Sequence, residues 1–251
     1  SNTTGDENTA VGRATLDTNT TGTDNVGMGH RALTANTEGT GNVGLGNDAL
    51  FKNTTADFNV AVGFGAMFEN TTGDNCTAVG TSALGKNTTG SDNVAVGRNS
   101  QDANTDGHSN TSVGESSLTT NTTGIRNTSI GKDSMVSNST GNENVAVGRS
   151  ALNANTTASS NTAVGNECMR SNTTGEQNTA IGYAALDSNT TATGNTAVGM
   201  HALGALTTGG ANVIIGKGAA TNQTTASNNV VIGEGAGSNI TTKTECILIG
   251  R

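Results

Sequence analysis

Apolar and polar residues recur along this chain with one fixed period. A glycine stands at every seventeenth residue from Gly12 to Gly250, without a single insertion or deletion. Each repeat approximates Asn-[Thr/Val]-Ala-[Val/Ile]-Gly-x-x-Ala-[Leu/Met]-x-x-Asn-Thr-Thr-Gly-x-x, and we number its positions 1 to 17 from the first Asn. A disordered low-complexity tract has no physical reason to keep such a phase. Each repeat is therefore expected to stack in register on the next.

The pattern within one repeat favours short strands over helix. The apolar positions are few, two small residues stand at fixed places, and β-branched residues lie between them. One repeat can circle once through two or three short strands. We therefore predict an all-β fold, a parallel β-solenoid of about 15 coils with a 17-residue repeat and a spacing of about 4.8 Å between coils. The glycine at position 5 is expected at a corner that needs a positive φ or a close backbone approach.

Position 4 is apolar in every repeat, so we predict that its side chains form the buried column of the solenoid, opposite Leu or Met at position 9. The predicted core column is Val11, Val62, Val79, Val96, Val113, Ile130, Val147, Val164, Ile181, Val198, Ile215 and Ile232. The small residues at position 3 alternate with it, so we expect them to point outward and to let another chain approach closely. This predicted inter-chain packing column is Ala10, Ala61, Ala78, Ala95, Ala146, Ala163, Ala180 and Ala197.

The repeats change character near the end of the chain. The predicted organisation is a single repeat domain at 1–251, with regular coils at 1–199 and more apolar terminal coils at 200–251. Ile214, Val231 and Leu248 stand where Ala is usual. We expect them to make the outward face apolar, as a terminal cap, a wider inter-chain core or a junction with a stalk would require. The chain lacks an initiator Met and begins and ends inside a repeat, so we expect a longer parent protein.

Composition limits the possible functions. The chain has four Phe, one Tyr, no Trp and no Pro, which disfavours a deep ligand pocket, because such pockets are usually walled by hydrophobic and aromatic side chains. A formal net charge of −8 disfavours nucleic acid, whose binding depends on clustered Lys and Arg. No apolar run approaches the ~20 residues that cross a bilayer. We therefore expect no nucleic-acid partner and no membrane insertion.

Residues that could perform catalysis or hold a metal do not recur at a constrained distance. Cys76 and Cys246 are ten repeats apart, about 48 Å at strand spacing, so they cannot form a disulfide within one chain. Cys168 is expected to be buried as a small hydrophobic residue. The histidines lie more than four repeats apart, and no serine-nucleophile, zinc or phosphate-loop motif is present. We predict a protein that is not an enzyme, without catalytic, metal or cofactor-binding residues and without a cofactor.

The repeat resembles that of a known family. Asn-Thr-Ala-Val-Gly at 8–12 and 161–165, and Asn-Thr-Ala-Ile-Gly at 178–182, are similar to the head repeat of YadA-like trimeric autotransporter adhesins and of related phage and algal-virus fibre proteins. The resemblance runs along the whole chain but departs in period, since the adhesin head repeat is typically shorter. It implies a left-handed parallel β-roll, a homotrimer, an extracellular, cell-surface or virion-surface location, and adhesion to an extracellular protein or glycan receptor.

Three functions are compatible with these patterns. The first is a non-enzymatic trimeric fibre or adhesin head that attaches to a host cell, matrix protein or glycan through many equivalent sites. The second is an ice-binding solenoid, although only one Thr of each adjacent pair can lie on a given face. The third is a purely structural filament or spacer. The candidate surface Thr column is Thr21, Thr55, Thr72, Thr89, Thr123, Thr157, Thr174 and Thr191.

Overall fold

A computed structural model describes residues 2–250 of the chain. Within this range the protein is an all-β parallel β-solenoid with a 17-residue repeat, fifteen strands of three residues each and no helix. The predicted all-β parallel β-solenoid with a 17-residue repeat is therefore confirmed. The chain divides into two compact units, unit 1 at Ser1–Arg126 and unit 2 at Asn127–Arg251.

One short strand begins each repeat. Unit 1 contains β1 (Thr9–Val11), β2 (Val26–Met28), β3 (Val43–Leu45), β4 (Val60–Val62), β5 (Thr77–Val79), β6 (Val94–Val96) and β7 (Thr111–Val113). Unit 2 contains β8 (Thr128–Ile130), β9 (Val145–Val147), β10 (Thr162–Val164), β11 (Thr179–Ile181), β12 (Thr196–Val198), β13 (Val213–Ile215), β14 (Val230–Ile232) and β15 (Ile247–Ile249). Within each unit, neighbouring strands pair in parallel and in register, as Ala61 does with Ala78. Each coil therefore corresponds to one repeat.

The side chains of positions 3 and 4 point in the opposite directions from those predicted. At position 3, Ala61, Ala78 and Ala95 are fully buried, whereas at position 4, Val11 is 52% exposed and Val79 is 37% exposed. Alternate residues of a strand face opposite sides, so the predicted core column is wrong and lies on the outer face. Its members, all partly or well exposed, are Val11, Val62, Val79, Val96, Val113, Ile130, Val147, Val164, Ile181, Val198, Ile215 and Ile232.

The predicted inter-chain column is likewise wrong, because its members point into their own coil. The buried members are Ala61, Ala78, Ala95, Ala146, Ala163, Ala180 and Ala197, while Ala10 in the first strand is exposed. The interior at position 3 is narrow: a Cβ added to Gly44 would lie 3.2 Å from Leu33 Cγ. Position 3 is therefore small because it packs against the leucine at position 9, within a close-packed interior.

Two rows of asparagine complete the interior. At position 1, Asn25 Nδ2 donates to the carbonyl oxygen of Gly39 at 2.8 Å, and Asn25 Oδ1 accepts from the backbone N–H of Asn42 at 2.9 Å. At position 12, Asn36 Nδ2 donates to Gly39 O and to Asn19 Oδ1, both at 2.9 Å. These hydrogen bonds offset the cost of burying the amides. The asparagines at position 1 therefore have a structural role.

The corners of the coil require unusual backbone. Gly63 at position 5 has a φ of 138°, and a Cβ there would lie 2.6 Å from the carbonyl oxygen of Gly80, so the predicted glycine corner is confirmed. Positions 7, 9 and 17 hold left-handed residues other than glycine, with φ of 59° at Arg31, 52° at Leu33 and 57° at Asp24. Each costs roughly 1 kcal/mol or more. The sequence pattern did not indicate these left-handed positions.

The terminal coils of unit 2 redistribute the interior volume. Ile214 and Val231 at position 3 are fully buried, so the expectation that they make the outward face apolar is wrong. Position 9 of the same coils holds Ala220 and Gly237 in place of Leu or Met. A Cβ on Gly237 would lie 3.2 Å from Val231 Cγ1. Large side chains at position 3 thus take the space that position 9 gives up.

Candidate interaction surfaces

The outer face of the strands is uncharged and largely apolar in both units. Every strand carries Val, Ile or Thr at position 2 and Val, Ile, Leu or Met at position 4, with no charged residue at either position. The well-exposed members are Val11, Met28, Val79, Val113, Ile130, Ile181, Val213, Ile215, Ile247 and Ile249. In unit 1 this face is about 10 Å wide, because each strand has three residues, and about 30 Å long, because seven strands lie side by side. The largest apolar patch on a typical monomer covers roughly 300–600 Å² and is often functional.

A second surface carries rows of threonine. At position 13, Thr54 Oγ1 donates to the carbonyl oxygen of Thr71 at 3.1 Å, and Thr71 Oγ1 donates to that of Thr88 at 3.0 Å. These hydroxyls join successive coils. Position 14 is solvent-exposed in all eight members of the candidate Thr column, namely Thr21, Thr55, Thr72, Thr89, Thr123, Thr157, Thr174 and Thr191. A single row of exposed Thr side chains therefore runs along the surface of each unit.

Ion pairs join successive coils on the side formed by positions 6 to 11. Arg31 Nε lies 2.6 Å from Asp48 Oδ1, and Arg149 Nη2 lies 2.7 Å from Glu167 Oε1. The sequence analysis missed these pairs, although opposite charges one repeat apart were the available signal. Exposed ion pairs contribute under about 1 kcal/mol each. They are therefore secondary to the interior rows in holding the coils together.

The phenylalanines form the main departure from the repeat on the outside of unit 1. All four Phe of the chain fall between Phe51 and Phe68. These two, at position 10 of successive coils, stack with ring centroids 5.0 Å apart and planes inclined by 14°. The Arg31 guanidinium lies 4.5 Å from the centroid of the Phe51 ring. Phe58 and Phe64 are 60% and 58% exposed, so none of the four contributes a fully buried side chain.

A cleft of about 290 Å³ adjoins the Phe68 ring. Its lining includes Phe64, Gly85, Lys86 and Asp102. Burial raises the pKa of the Asp102 carboxyl, while the charge of Lys86, whose Nζ lies 3.9 Å from Asp102 Oδ2, opposes that rise. The sequence analysis missed this cleft. The signal was the column of position 10, in which a glycine follows two phenylalanines.

Unit 2 has a larger cleft of about 510 Å³. Its floor includes Gly218 and Gly235, where an added Cβ would meet nothing within 4 Å. Met200 and an ion pair between Lys217 Nζ and Glu234 Oε1 at 3.6 Å border it. His201, whose ring meets the Tyr183 ring edge-on with centroids 5.2 Å apart, also lines it, but none of its lining residues is a phenylalanine.

The cysteine thiols provide no reactive centre in the coil interior. Cys76, Cys168 and Cys246 are all free. Burial raises the pKa of Cys76 to about 11 and that of Cys168 to about 12, which disfavours the reactive thiolate. The prediction that Cys168 is a buried small residue is confirmed, because its side chain is fully buried.

Over residues 2–250, no group of three His, Cys, Asp or Glu side chains is placed to hold a metal ion. Across the same residues, no helix combines the length and the apolar character that a membrane crossing requires. A scan against protein-family models found no match to the chain, and a search of curated proteins found none. Function must therefore be argued from the surfaces themselves.

Proposed function

We propose that the chain is a non-enzymatic fibre or adhesin head that assembles as a homotrimer of left-handed β-rolls on an extracellular, cell or virion surface. The observation that supports this proposal is the charge-free strand face, which carries Val, Ile, Leu or Met at position 4 and Val, Ile or Thr at position 2. A second copy of the chain offers the same strand face with the same coil spacing. Association of copies would remove both faces from water, with a gain of roughly 25 cal/mol per Å² of apolar area.

The polarity of the other sides supports outward display. The Thr row, the ion-paired side and the clefts lie on surfaces other than the strand face. In a trimer packed through the strand faces, these surfaces would point toward solvent and toward a host receptor. Three copies would present each weak site three times, so that avidity compensates for low single-site affinity. The number of chains and the hand of the coil follow from the family resemblance.

The mass of the particle in solution tests the association. We expect the full chain to give three times the monomer mass by native mass spectrometry and light scattering. A Val62→Lys/Val96→Lys variant places two charges on the strand face and should shift the protein to monomer, because a desolvated unpaired charge is costly. Thr55→Lys/Thr89→Lys adds the same charge to the Thr surface and should remain trimeric. A monomeric wild type, or equal effects of the two variants, would contradict the proposal.

Ice binding is a second candidate, favoured by the exposed Thr row at position 14. The neighbouring hydroxyls at position 13 already donate to the backbone, as Thr54 does to Thr71, so the row available to water is narrow. Ice binding predicts thermal hysteresis that disappears in a Thr72→Lys/Thr89→Lys variant. An adhesin head or a structural filament should show no hysteresis in either protein. A filament should also join end to end and bind no glycan.

A further inference from the structure

We propose that the cleft between Phe68 and Asp102 in unit 1 binds one pyranose ring of a neutral sugar. Binding requires a single chain only, but the use of the site in attachment rests on the function proposed above. The site would make the receptor of that attachment a glycan. It lies at a gap in the column of aromatic rings at position 10, where Gly85 follows Phe68.

The gap arises where a stack of rings stops. Position 10 holds Phe51, Phe68, Gly85 and Asp102 in four successive coils. The first two rings stack 5.0 Å apart, close to the coil spacing of about 4.8 Å. Gly85 supplies no side chain to the following place, which the Asp102 carboxylate enters from the next coil. Phe51 thus covers one face of Phe68, and Phe68 also lines the cleft.

Backbone geometry does not explain the glycine. The φ of Gly85 lies outside the left-handed region, and other coils carry Phe or Asp at the same position. A Cβ at Gly85 would lie 2.5 Å from Asp102 Oδ1. The carboxylate therefore reaches over the glycine and forms the wall opposite the Phe68 ring. The absence of a side chain at Gly85, which is itself buried, makes room for this carboxylate beside the cleft.

The polar groups around the gap favour a neutral ligand. Lys86 Nζ lies 3.9 Å from Asp102 Oδ2, near the limit of an ion pair. The other acids that line the cleft, Asp48 and Glu69, pair with Arg31 and Lys52 respectively. Donors and acceptors are thus present without an excess of either charge. Hydroxyl groups, which both donate and accept, match this arrangement.

The aromatic floor selects a ligand with a flat C–H face. The face of a phenyl ring is negative, so it attracts the weakly positive C–H groups of a pyranose ring. Phe64, which is 58% exposed, lies at the side of the same cleft. A purely aromatic ligand could stack on Phe68 but would leave Asp102 and Lys86 without ligand hydrogen bonds. The cleft of unit 2, lined by no phenylalanine, serves as an internal comparison.

Saturation-transfer NMR on the full chain tests the ligand class. The probes are methyl glucoside, galactoside, mannoside and N-acetylglucosaminide at millimolar concentration, with phenol and tetramethylammonium as aromatic and cationic alternatives. We expect transfer to the ring C–H protons of at least one pyranoside. No transfer to any pyranoside, or stronger binding of phenol or tetramethylammonium, would overturn the assignment.

Two substitutions locate the site, and a third controls for them. Gly85→Phe fills the gap with a third stacked ring, and Phe68→Leu removes the floor. Each should weaken pyranoside binding at least about tenfold, or about 1.4 kcal/mol. Gly204→Phe makes the same change at position 10 of unit 2 and should leave binding unaltered. Unchanged binding in folded Gly85→Phe, checked by circular dichroism, would overturn the site.

The mass of each sample separates the two proposals. A monomer that binds the pyranoside would contradict the trimeric head while supporting the cleft. A trimer that binds none of the pyranosides would contradict the cleft while supporting the association of chains.

Discussion

The regular coils of unit 1 and the terminal coils of unit 2 reach the same backbone with different interiors. Gly63 and Gly216 at position 5 have φ of 138° and 137°, and position 1 remains a buried asparagine in coils of both kinds. The difference lies in which position of the repeat places a large side chain in the interior. Leu84 faces small neighbours at position 3 in unit 1, whereas Ile214 and Val231 are the large residues in the terminal coils. The coil therefore requires a filled interior of fixed size rather than particular residues.

The row at position 12 shows a second difference. Unit 1 keeps asparagine there, and Asn70 Nδ2 donates to Asn53 Oδ1 at 2.9 Å and to Gly73 O at 3.0 Å. The terminal coils hold Leu206 and Gln223 instead. Gln223 Oε1 is buried without a hydrogen-bond partner. The asparagine row is thus a feature of the regular coils that the terminal coils replace in part.

The largest expected effect comes from emptying the interior of a regular coil. Leu84→Ala should destabilise the chain by about 3 kcal/mol, because it leaves a cavity that small neighbours cannot fill. Adding Ala95→Val reproduces the Ala220 and Val231 pair of the terminal coils and should recover part of the loss. Urea unfolding followed by circular dichroism measures both. If the double variant lost as much unfolding free energy as the two single variants together, a large residue at position 3 would not compensate for a small one at position 9.

Thiol reactivity gives the next largest contrast. Cys76 in a regular coil and Cys246 in the last coil both occupy position 1, but only Cys246 is partly exposed. The rise of the Cys76 pKa from 9.0 to about 11 reduces its thiolate about a hundredfold at a given pH, apart from its burial. A disulfide reagent should therefore label Cys246 at least about a hundredfold faster than Cys76. Cys246→Ser should remove the fast phase, and equal rates would contradict the buried position of Cys76.

Breaking the asparagine row should have a smaller effect. Asn70→Leu keeps the volume but removes two donated hydrogen bonds and the acceptor for Asn87 Nδ2. It should destabilise the chain by about 2 kcal/mol, because polar groups lose buried partners. Gln223→Leu in a terminal coil also removes two donated hydrogen bonds, from Nε2 to Asn212 Oδ1 and to Ala226 O. It removes an unpartnered buried oxygen as well and leaves no donor without an acceptor, so its cost should be smaller, about 1 kcal/mol. Equal losses in urea unfolding would show that the two rows are energetically alike.

The sequence predicted the fold well because the period is a property of spacing alone. One glycine per repeat and a fixed phase require stacked coils whatever the side chains do. The spacing could not predict which strand residues face the interior. Positions 3 and 4 are both apolar, and a strand of three residues is too short for the alternation of apolar and polar residues to decide between them. A shift of one residue along a strand exchanges the side chains that face the interior with those that face outward. The packing of Gly44 against Leu33 shows that position 3 faces the interior, and this contact forms only when the coils stack.

The candidate sites were less predictable than the fold. The repeat consensus hides exceptions, and the cleft depends on exceptions in neighbouring coils at one position. Phe68 and Gly85 are unremarkable separately and form a gap only when coils stack. The exposed Thr row, by contrast, follows the repeat and was predicted. The left-handed Leu33 has no sequence signal, because its φ of 52° results from the closure of the coil.

The smallest expected effect concerns the left-handed corner at position 17. Ala211 in a terminal coil and Asn75 in a regular coil are both exposed there, with φ of 56° and 57°. Ala211→Gly relieves the clash of Cβ in this conformation but adds freedom to the unfolded chain, so the net gain should be about 0.5 kcal/mol. Asn75→Gly should change stability less, because asparagine tolerates this conformation. Thermal and urea unfolding measure the difference, and a loss of stability in Ala211→Gly would show that the corner is not strained.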